Sequence, residues 1–296
     1  MYKNIFDSHA HYTDKAFDID RKDLLDSLTE SGVCGVITCG ADLESSKAAS
    51  TLSHEYDYIY YSCGIHPEEV DSLPENYIDI LRELSKSKKC VAIGEIGLDY
   101  YWVSDNKPTQ IEIFEKQIAI AKELNLPIIV HDRDAHSDTL EILKKHKPKG
   151  VVHCYSGSVE MAEEIIKLGL YIGVGGVITF KNAKKLPDVV KMIPDELLLV
   201  ETDCPYLAPE PYRGKLCHSG LIKYTAEKIA EIRGTTTEQV LNLTAKNAKK
   251  TALETFPMPL KENPLSPSAS KIAGANLNGL AVEAITVGVE SPVFLR

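Results

Sequence analysis

The chain has 296 residues, 44% hydrophobic and 26% charged, the balance of an ordinary globular protein, and an α/β barrel of about 250 residues would use most of it as one unit. A formal net charge of −10 disfavours a broad electrostatic grip on duplex nucleic acid, since that affinity comes chiefly from Lys and Arg, and no run approaches the length of a membrane span or a secretory signal. The seven Cys are odd in number and form no Cys-x-x-Cys pair, which points away from a disulfide framework or a structural zinc module and towards a cytoplasmic setting.

Short apolar or β-branched runs alternate with helical patterns along the chain. Strands are predicted to begin near Asn4, Val33, Tyr58, Cys90, Pro127, Gly150, Leu170 and Leu197, with helices between them at about 20–31, 42–54, 73–87, 108–124, 136–146, 158–168 and 181–191. Eight strands with seven intervening helices predict an α/β fold closed as a TIM (β/α)8 barrel. Two further helical patterns, roughly 219–233 and 236–254, complete the ring, and a Thr-x-x-Glu capping-box signal lies in TTTEQ (235–239). The domain is therefore expected over 1–256. Residues 257–296, with Pro257, Pro259, Pro264 and Pro267 close together, read as a flexible tail: a natural extension, an expression scar or a frame-altered end.

Five segments end a strand-like run with a metal-ligand residue type, and the first supplies two. They carry His9 and His11 in IFDSHAH, Glu95 in VAIGEIGLD, His131 in PIIVHDRD, His153 in GVVHCYSG and Asp203 in LLLVETDCP. Residues two apart on a strand point the same way, so His9 and His11 can face one ion. In a parallel barrel the reacting groups sit at the C-terminal strand ends, which is where these six fall. Singly, a histidine here reads as a structural hydrogen-bonded residue, Asp203 as a turn cap and Glu95 as a partner of Arg133; the ordered set favours metal. The same alternation points Cys154 away from His153, and the thiols read as structural. His54, His136, His146 and His218 lack comparable context and read as surface or packing residues, with His218 nearest the last barrel loop. The glycines of GVGGV (173–177) read as close packing at the end of strand seven.

Taken in order, DSHAH (7–11), GIHP (64–67), GEIGLDYY (94–101), VHDRDA (130–135), HCYSG (153–157) and ETDCPYLAP (201–209) resemble the TatD family of metal-dependent deoxyribonucleases from about Met1 to Phe256. The resemblance implies an amidohydrolase-type TIM barrel that hydrolyses DNA phosphodiesters, typically from an end and expectedly the 3′ end, with single-stranded or frayed DNA as partner. It also implies divalent ions, expectedly two of Mg, Mn, Co or Zn, held by His9, His11, Glu95, His131, His153 and Asp203 at the C-terminal ends of the strands. One departure follows PYRGK (211–215): the family's Arg-Asn-Glu-Pro-like continuation is replaced by Leu216, Cys217, His218 and Ser219, at a rim where substrate preference would be set.

The residue chemistry agrees with that assignment, because imidazole suits transition-metal ions while carboxylates accept these and Mg²⁺ alike. Glu95 can bridge two ions about 4 Å apart around a shared hydroxide, and Asp203 can act as ligand and general base. These two form the expected catalytic pair. His66 and Arg133 are suited to gripping the phosphate, Arg through its planar donor fork. Oligomerisation is expected to be weak or absent, with no membrane partner. The alternative function is an amidohydrolase-like hydrolase of a small cyclic amide, lactone or phosphotriester, since the same hydroxide attacks carbonyl carbon as well as phosphorus. Glu95 on strand four, where many binuclear amidohydrolases carry a modified Lys, separates the two. A third reading, a noncatalytic metal or nucleic-acid binder, is disfavoured by a complete ligand set with a base.

Overall fold

The computed structural model describes residues 2–253; the tail expected over 257–296 lies outside them. The elements run β1 (Ile5–Ala10), α1 (Arg21–Leu28), β2 (Val33–Cys39), α2 (Leu43–Glu55), β3 (Ile59–Cys63), α3 (Tyr77–Leu84), β4 (Cys90–Asp99), α4 (Lys107–Glu123), β5 (Ile128–Arg133), α5 (His136–His146), β6 (Gly150–Val152), α6 (Val159–Lys167), β7 (Tyr171–Val174), α7 (Leu186–Met192), β8 (Leu198–Val200), α8 (Ile222–Arg233) and α9 (Thr237–Leu253). All neighbouring strands pair in parallel in the order β1 to β8, giving the TIM (β/α)8 barrel. The seam between first and last strands is closed just beyond β8. A parallel bridge joins Ala10 to Cys204, the His11 N–H donates to the Cys204 carbonyl (2.8 Å) and the Asp203 N–H to the His9 carbonyl (3.0 Å).

Each strand begins within one residue of its predicted start, because buried parallel strands read as continuous apolar runs. Helix boundaries differ more: the helix expected over 73–87 spans Tyr77–Leu84 and the one expected from 219 begins at Ile222, and two further departures have local reasons. The helix expected from residue 181 begins at Leu186, since Pro187 is tolerated only in a first turn and sits there. The capping box falls one residue later than TTTEQ suggests. The Gln239 N–H donates to Thr236 Oγ1 (3.2 Å) and the Thr236 N–H to Gln239 Oε1 (3.1 Å), so the pair is Thr236 and Gln239.

Strand alternation sorts the apolar residues into two layers. One set, including Ile5, Val36, Ile59, Ile93, Ile128 and Ile172, belongs to the large core shared with the helices. The other fills the barrel floor: Phe6, Ile37, Val91, Ile129, Val151 and Leu199 pack together with Ala245 and Ala248 of α9. Two residues further along the chain, Ile129 is followed by His131, Val151 by His153 and Leu199 by Glu201, so one step along the pleat passes from apolar floor to polar mouth, while Ile37 is followed by Cys39, still part of the floor. All seven cysteines are free thiols. Among the described residues no helix is long and apolar enough to cross a membrane.

Candidate metal centre

The six side chains expected to hold metal converge at the mouth of the barrel. Glu95, only 3% exposed, lies at their centre and divides its two oxygens between two sides. Its Oε2 is 3.3 Å from both His9 Nε2 and His11 Nε2. Its Oε1 is 2.7 Å from His153 Nε2, 3.0 Å from His131 Nδ1 and 3.6 Å from His66 Nε2. Asp203 Oδ1 closes the first side at 3.5 Å from His9 Nε2 and 3.4 Å from His11 Nε2, and the rings of His9 and His153 stack with centroids 3.9 Å apart.

Backbone irregularities aim these groups. The β1–β2 register shifts between Asp7 and Ala10 and the β4–β5 register between Ile93 and Ile96, so the two strands depart from regular pairing around His9 and Glu95, as bulges near active sites do. His11 lies one residue past β1, yet its Nε2 comes within 2.9 Å of His9 Nε2. Asp203 lies beyond β8 at φ 59°. A Cβ at Gly173 would collide with the Glu201 carboxylate, so the close packing expected of GVGGV makes room for a buried acid.

Outer partners fix which ring nitrogen faces inward. His11 Nδ1 is 3.2 Å from the Cys39 carbonyl and His131 Nε2 is 2.9 Å from Asp99 Oδ2; in the neutral ring each of these nitrogens carries the proton, leaving His11 Nε2 and His131 Nδ1 with lone pairs directed at the cluster. Three sets of donor atoms, each within 4.8 Å of one another, result: His9, Glu95 and His153; His9, His11 and Asp203; His66, Glu95 and His131. Mixed imidazole and carboxylate donors with lone pairs turned inward fit divalent cations. His66 differs from the other imidazoles. Its Nδ1 accepts the Glu68 N–H (3.3 Å), so a neutral ring presents Nε2–H to the cluster, a donor suited to an anion rather than a ligand for a cation.

The ion-free electrostatics follow from crowding charge in a buried space. Burial works against ionised Glu95, but the charges of His153, His9 and His66 and the hydrogen bond from His11 outweigh it and hold the carboxyl well below its usual range. Asp203 is lowered against the same burial by its hydrogen bond with His11 and by neighbouring imidazoles. Burial also acts downward on His11 and His131, yet hydrogen bonds and charge from Asp203 and Glu95, and from Asp99 and Glu95, carry both up to about 10. Burial, then the charge of a neighbouring histidine, takes His9 down to about 4 and His66 to about 3. Protons thus occupy positions that a cation would take over.

Of the residues expected to bind substrate, His66 faces Glu95, whereas Arg133 is exposed and lies 4.2 Å above the Tyr101 ring instead of pairing with Glu95. His54, His136 and His146 are engaged elsewhere, with Ser50, Asp132 and Glu115. Cys154 lies past β6 at φ 42°, beyond the strand on which its alternation with His153 was expected. Burial, followed by the charges of Asp203, Glu201 and Glu95, raises its thiol pKa.

Several supporting residues were not among the expected site residues, although Asp99 lies within GEIGLDYY, where it was expected to shape the cleft. Asp99 braces His131. Glu201, two residues before Asp203, accepts from the Cys154 N–H and lies 3.9 Å from His153 Nδ1, and burial raises it to about 7. Asp7 lies beneath the seam and accepts from the Thr202 N–H (3.0 Å), Thr202 Oγ1 (2.6 Å) and Ser219 Oγ (2.7 Å); burial outweighs these bonds and raises it to about 6. Ser219, within the departure after PYRGK, is therefore part of the scaffold.

The family model described as TatD related DNase matches residues 6–252. An uncharacterized metal-dependent hydrolase of Bacillus subtilis, YabD, is 43% identical over 249 residues, covering 83% of this chain and 98% of that protein. Among solved structures, the TatD homologue YJJV of Escherichia coli superimposes with a TM-score of 0.80 at 29% identity, covering 85% of this chain and 99% of that one. An uncharacterized amidohydrolase from Saccharomyces cerevisiae shares the fold at a TM-score of 0.72 and 20% identity, with 85% and 100% of the two chains covered.

Proposed function

The chain belongs to the TatD-related DNase family of metal-dependent hydrolases, and from that premise we propose that it cleaves DNA phosphodiester bonds exonucleolytically, from single-stranded or frayed ends, with two divalent ions per chain. The observation that carries this reading is the division of Glu95, with Oε2 towards the His9 and His11 pair and Oε1 towards His131 and His153, the disposition a bridging carboxylate needs. His9, His11, Glu95 and Asp203 would hold one ion; Glu95, His131 and His153 would hold the other. When bound, such ions activate water near neutral pH and neutralise phosphoryl charge.

The protein groups supply the remainder. Asp203, part-exposed at the mouth and held by its own N–H on the His9 carbonyl, accepts the proton from the attacking water through a carboxylate oxygen. His66 donates Nε2–H to a non-bridging phosphate oxygen, and Arg133 offers its N–H edge to the same group. Asp99 keeps His131 in the tautomer that the site requires. The acidic chain admits an anionic substrate because bound cations reverse the local field.

The test presents metal-loaded, full-length protein with single-stranded DNA, duplex DNA, RNA and small cyclic amides and lactones in parallel. Chelator-sensitive release of nucleotides, restored by Mg²⁺, Mn²⁺, Co²⁺ or Zn²⁺, is the expected result. Turnover confined to an amide or lactone would replace the reading with the amidohydrolase one, and full activity after metal removal would overturn the mechanism.

A further inference from the structure

Two of the most exposed large hydrophobic side chains, Tyr101 and Trp102, each 54% exposed, stand side by side on the loop leaving β4, the strand that carries Glu95. Their rings meet edge to face with centroids 4.8 Å apart, and the Arg133 guanidinium from the end of β5 lies 4.2 Å from the Tyr101 centroid and 5.3 Å from that of Trp102. Exposed aromatic surface beside a catalytic mouth has no packing role to explain it, and contiguous apolar patches on a soluble protein mark binding sites.

The patch is also tied to the centre. Asp99, fully buried, accepts the Tyr101 N–H (2.9 Å) and the Trp102 N–H (2.8 Å) on Oδ1 while its Oδ2 holds His131 (2.9 Å). Gln110 clamps the same loop by bonding the Asp99 backbone and the Val103 carbonyl. One carboxylate therefore positions both an inward-facing imidazole and the base of the aromatic pair. A ligand seated on the pair would have a fixed relation to the centre.

Resting on the phosphodiesterase reading, we propose that Tyr101, Trp102 and Arg133 form a stacking platform for an unpaired nucleobase of the strand being cut. A nucleobase is planar and stacks on aromatic rings with little regard to sequence. An Arg stacked on an aromatic ring leaves its N–H edge available for a phosphate oxygen, so base and backbone of one nucleotide can be held together. Bases inside a duplex are already stacked and paired and cannot reach the platform. A frayed end can, and the platform thereby selects single-stranded substrate without a broad basic surface.

Trp102 is the chain's single tryptophan, so the intrinsic tryptophan fluorescence of the intact protein reports on the platform alone. With Mg²⁺-loaded protein, a phosphorothioate-linked oligothymidylate is expected to quench this emission saturably, and an abasic oligomer of equal length and charge to bind at least tenfold more weakly. Trp102→Ala is expected to raise KM for single-stranded DNA about tenfold, with a loss at least fivefold smaller on the abasic oligomer, and Trp102→Phe to restore most of the affinity. Equal quenching by both oligomers, absent quenching, or a wild-type KM in Trp102→Ala would overturn the platform even if DNA is cleaved. Base-dependent quenching without any cleavage would uphold the platform and overturn the phosphodiesterase reading.

Discussion

The floor and the mouth of the barrel are built from the same strands, two residues apart, and solve opposite problems. On the floor Phe6, Ile37, Ile129, Val151 and Leu199 fill the interior with no charge to satisfy. At the mouth Glu95, Asp203, His9, His131 and His153 crowd charge into a space as little exposed as the floor at His9 and Glu95, which is costly unless the charges pair or hold a cation. The floor needs only volume and shape. The mouth needs its protons or cations in place, and its outer partners Asp99, Cys39 and Glu201 exist to hold ring orientations that packing alone would leave free.

If this division is right, substitutions at the mouth should alter chemistry and metal content, and those on the floor should alter stability. Glu95→Gln should give the largest loss. Metal content measured by elemental analysis should fall, and activity should drop by more than the roughly 10–100-fold that follows loss of an outer partner of a metal ligand; unchanged metal content in a folded variant would break the assignment. Asp203→Asn keeps the shape and one coordinating oxygen while removing basicity, so turnover should fall about 10²–10⁴-fold with at least one ion retained. Near-normal single-turnover rates would remove Asp203 from proton transfer.

Protonation sharpens the contrast further. The stability that His11 and His131 contribute in ion-free protein is fully present below their unfolded value of 6.5 and is lost as pH rises through about 10. The lowered Glu95 and Asp203 contribute stability that is present above their unfolded values, 4.5 and 3.8, and is lost on acidification. Thermal melts with chelator should therefore show the melting temperature falling from pH 6.5 upward. Adding a divalent ion should stabilise the protein increasingly over the same range, as the cation displaces protons. A flat profile with and without metal would contradict the site. On the floor, Leu199→Ala should cost about 2–5 kcal/mol in denaturant unfolding while metal content and turnover at low temperature stay near wild type; metal loss there would show that floor and mouth are not separable.

The strands were legible because continuous burial leaves continuous apolar runs, and the ligand positions because each motif ends such a run. The supporting residues were not. Alternation from Leu199 puts Glu201 and Asp203 on one face alike, and only the fold, with β8 ending at Val200 and Asp203 in a turn at φ 59°, separates the buried partner of Cys154 and His153 from the acid beside His9 and His11. Asp99 was expected only to shape the cleft, and Asp7 looked like an ordinary strand acid, until the fold set His131 beside one and Thr202 and Ser219 around the other. The Arg133 geometry depended on a loop conformation outside any periodic pattern. The sequence already sets His66 apart from the ligands as a phosphate contact; what no spacing rule encodes is the Glu68 N–H on its Nδ1 that leaves Nε2–H facing inward.

The seam has a consequence for biosynthesis. Asp7 and Thr202, which bond across it, are 195 residues apart, and the backbone bonds that set Asp203 against His9 join the same two ends of the barrel. A ribosome adding about 5–20 residues per second needs roughly 10–40 s to cover that interval. Throughout that time the nascent chain carries His9 and His11 without the acid that completes their side of the cluster. The His9 and His11 side of the cluster therefore waits for the last strand, and a chain stalled before Asp203 cannot complete the centre while it is still tethered.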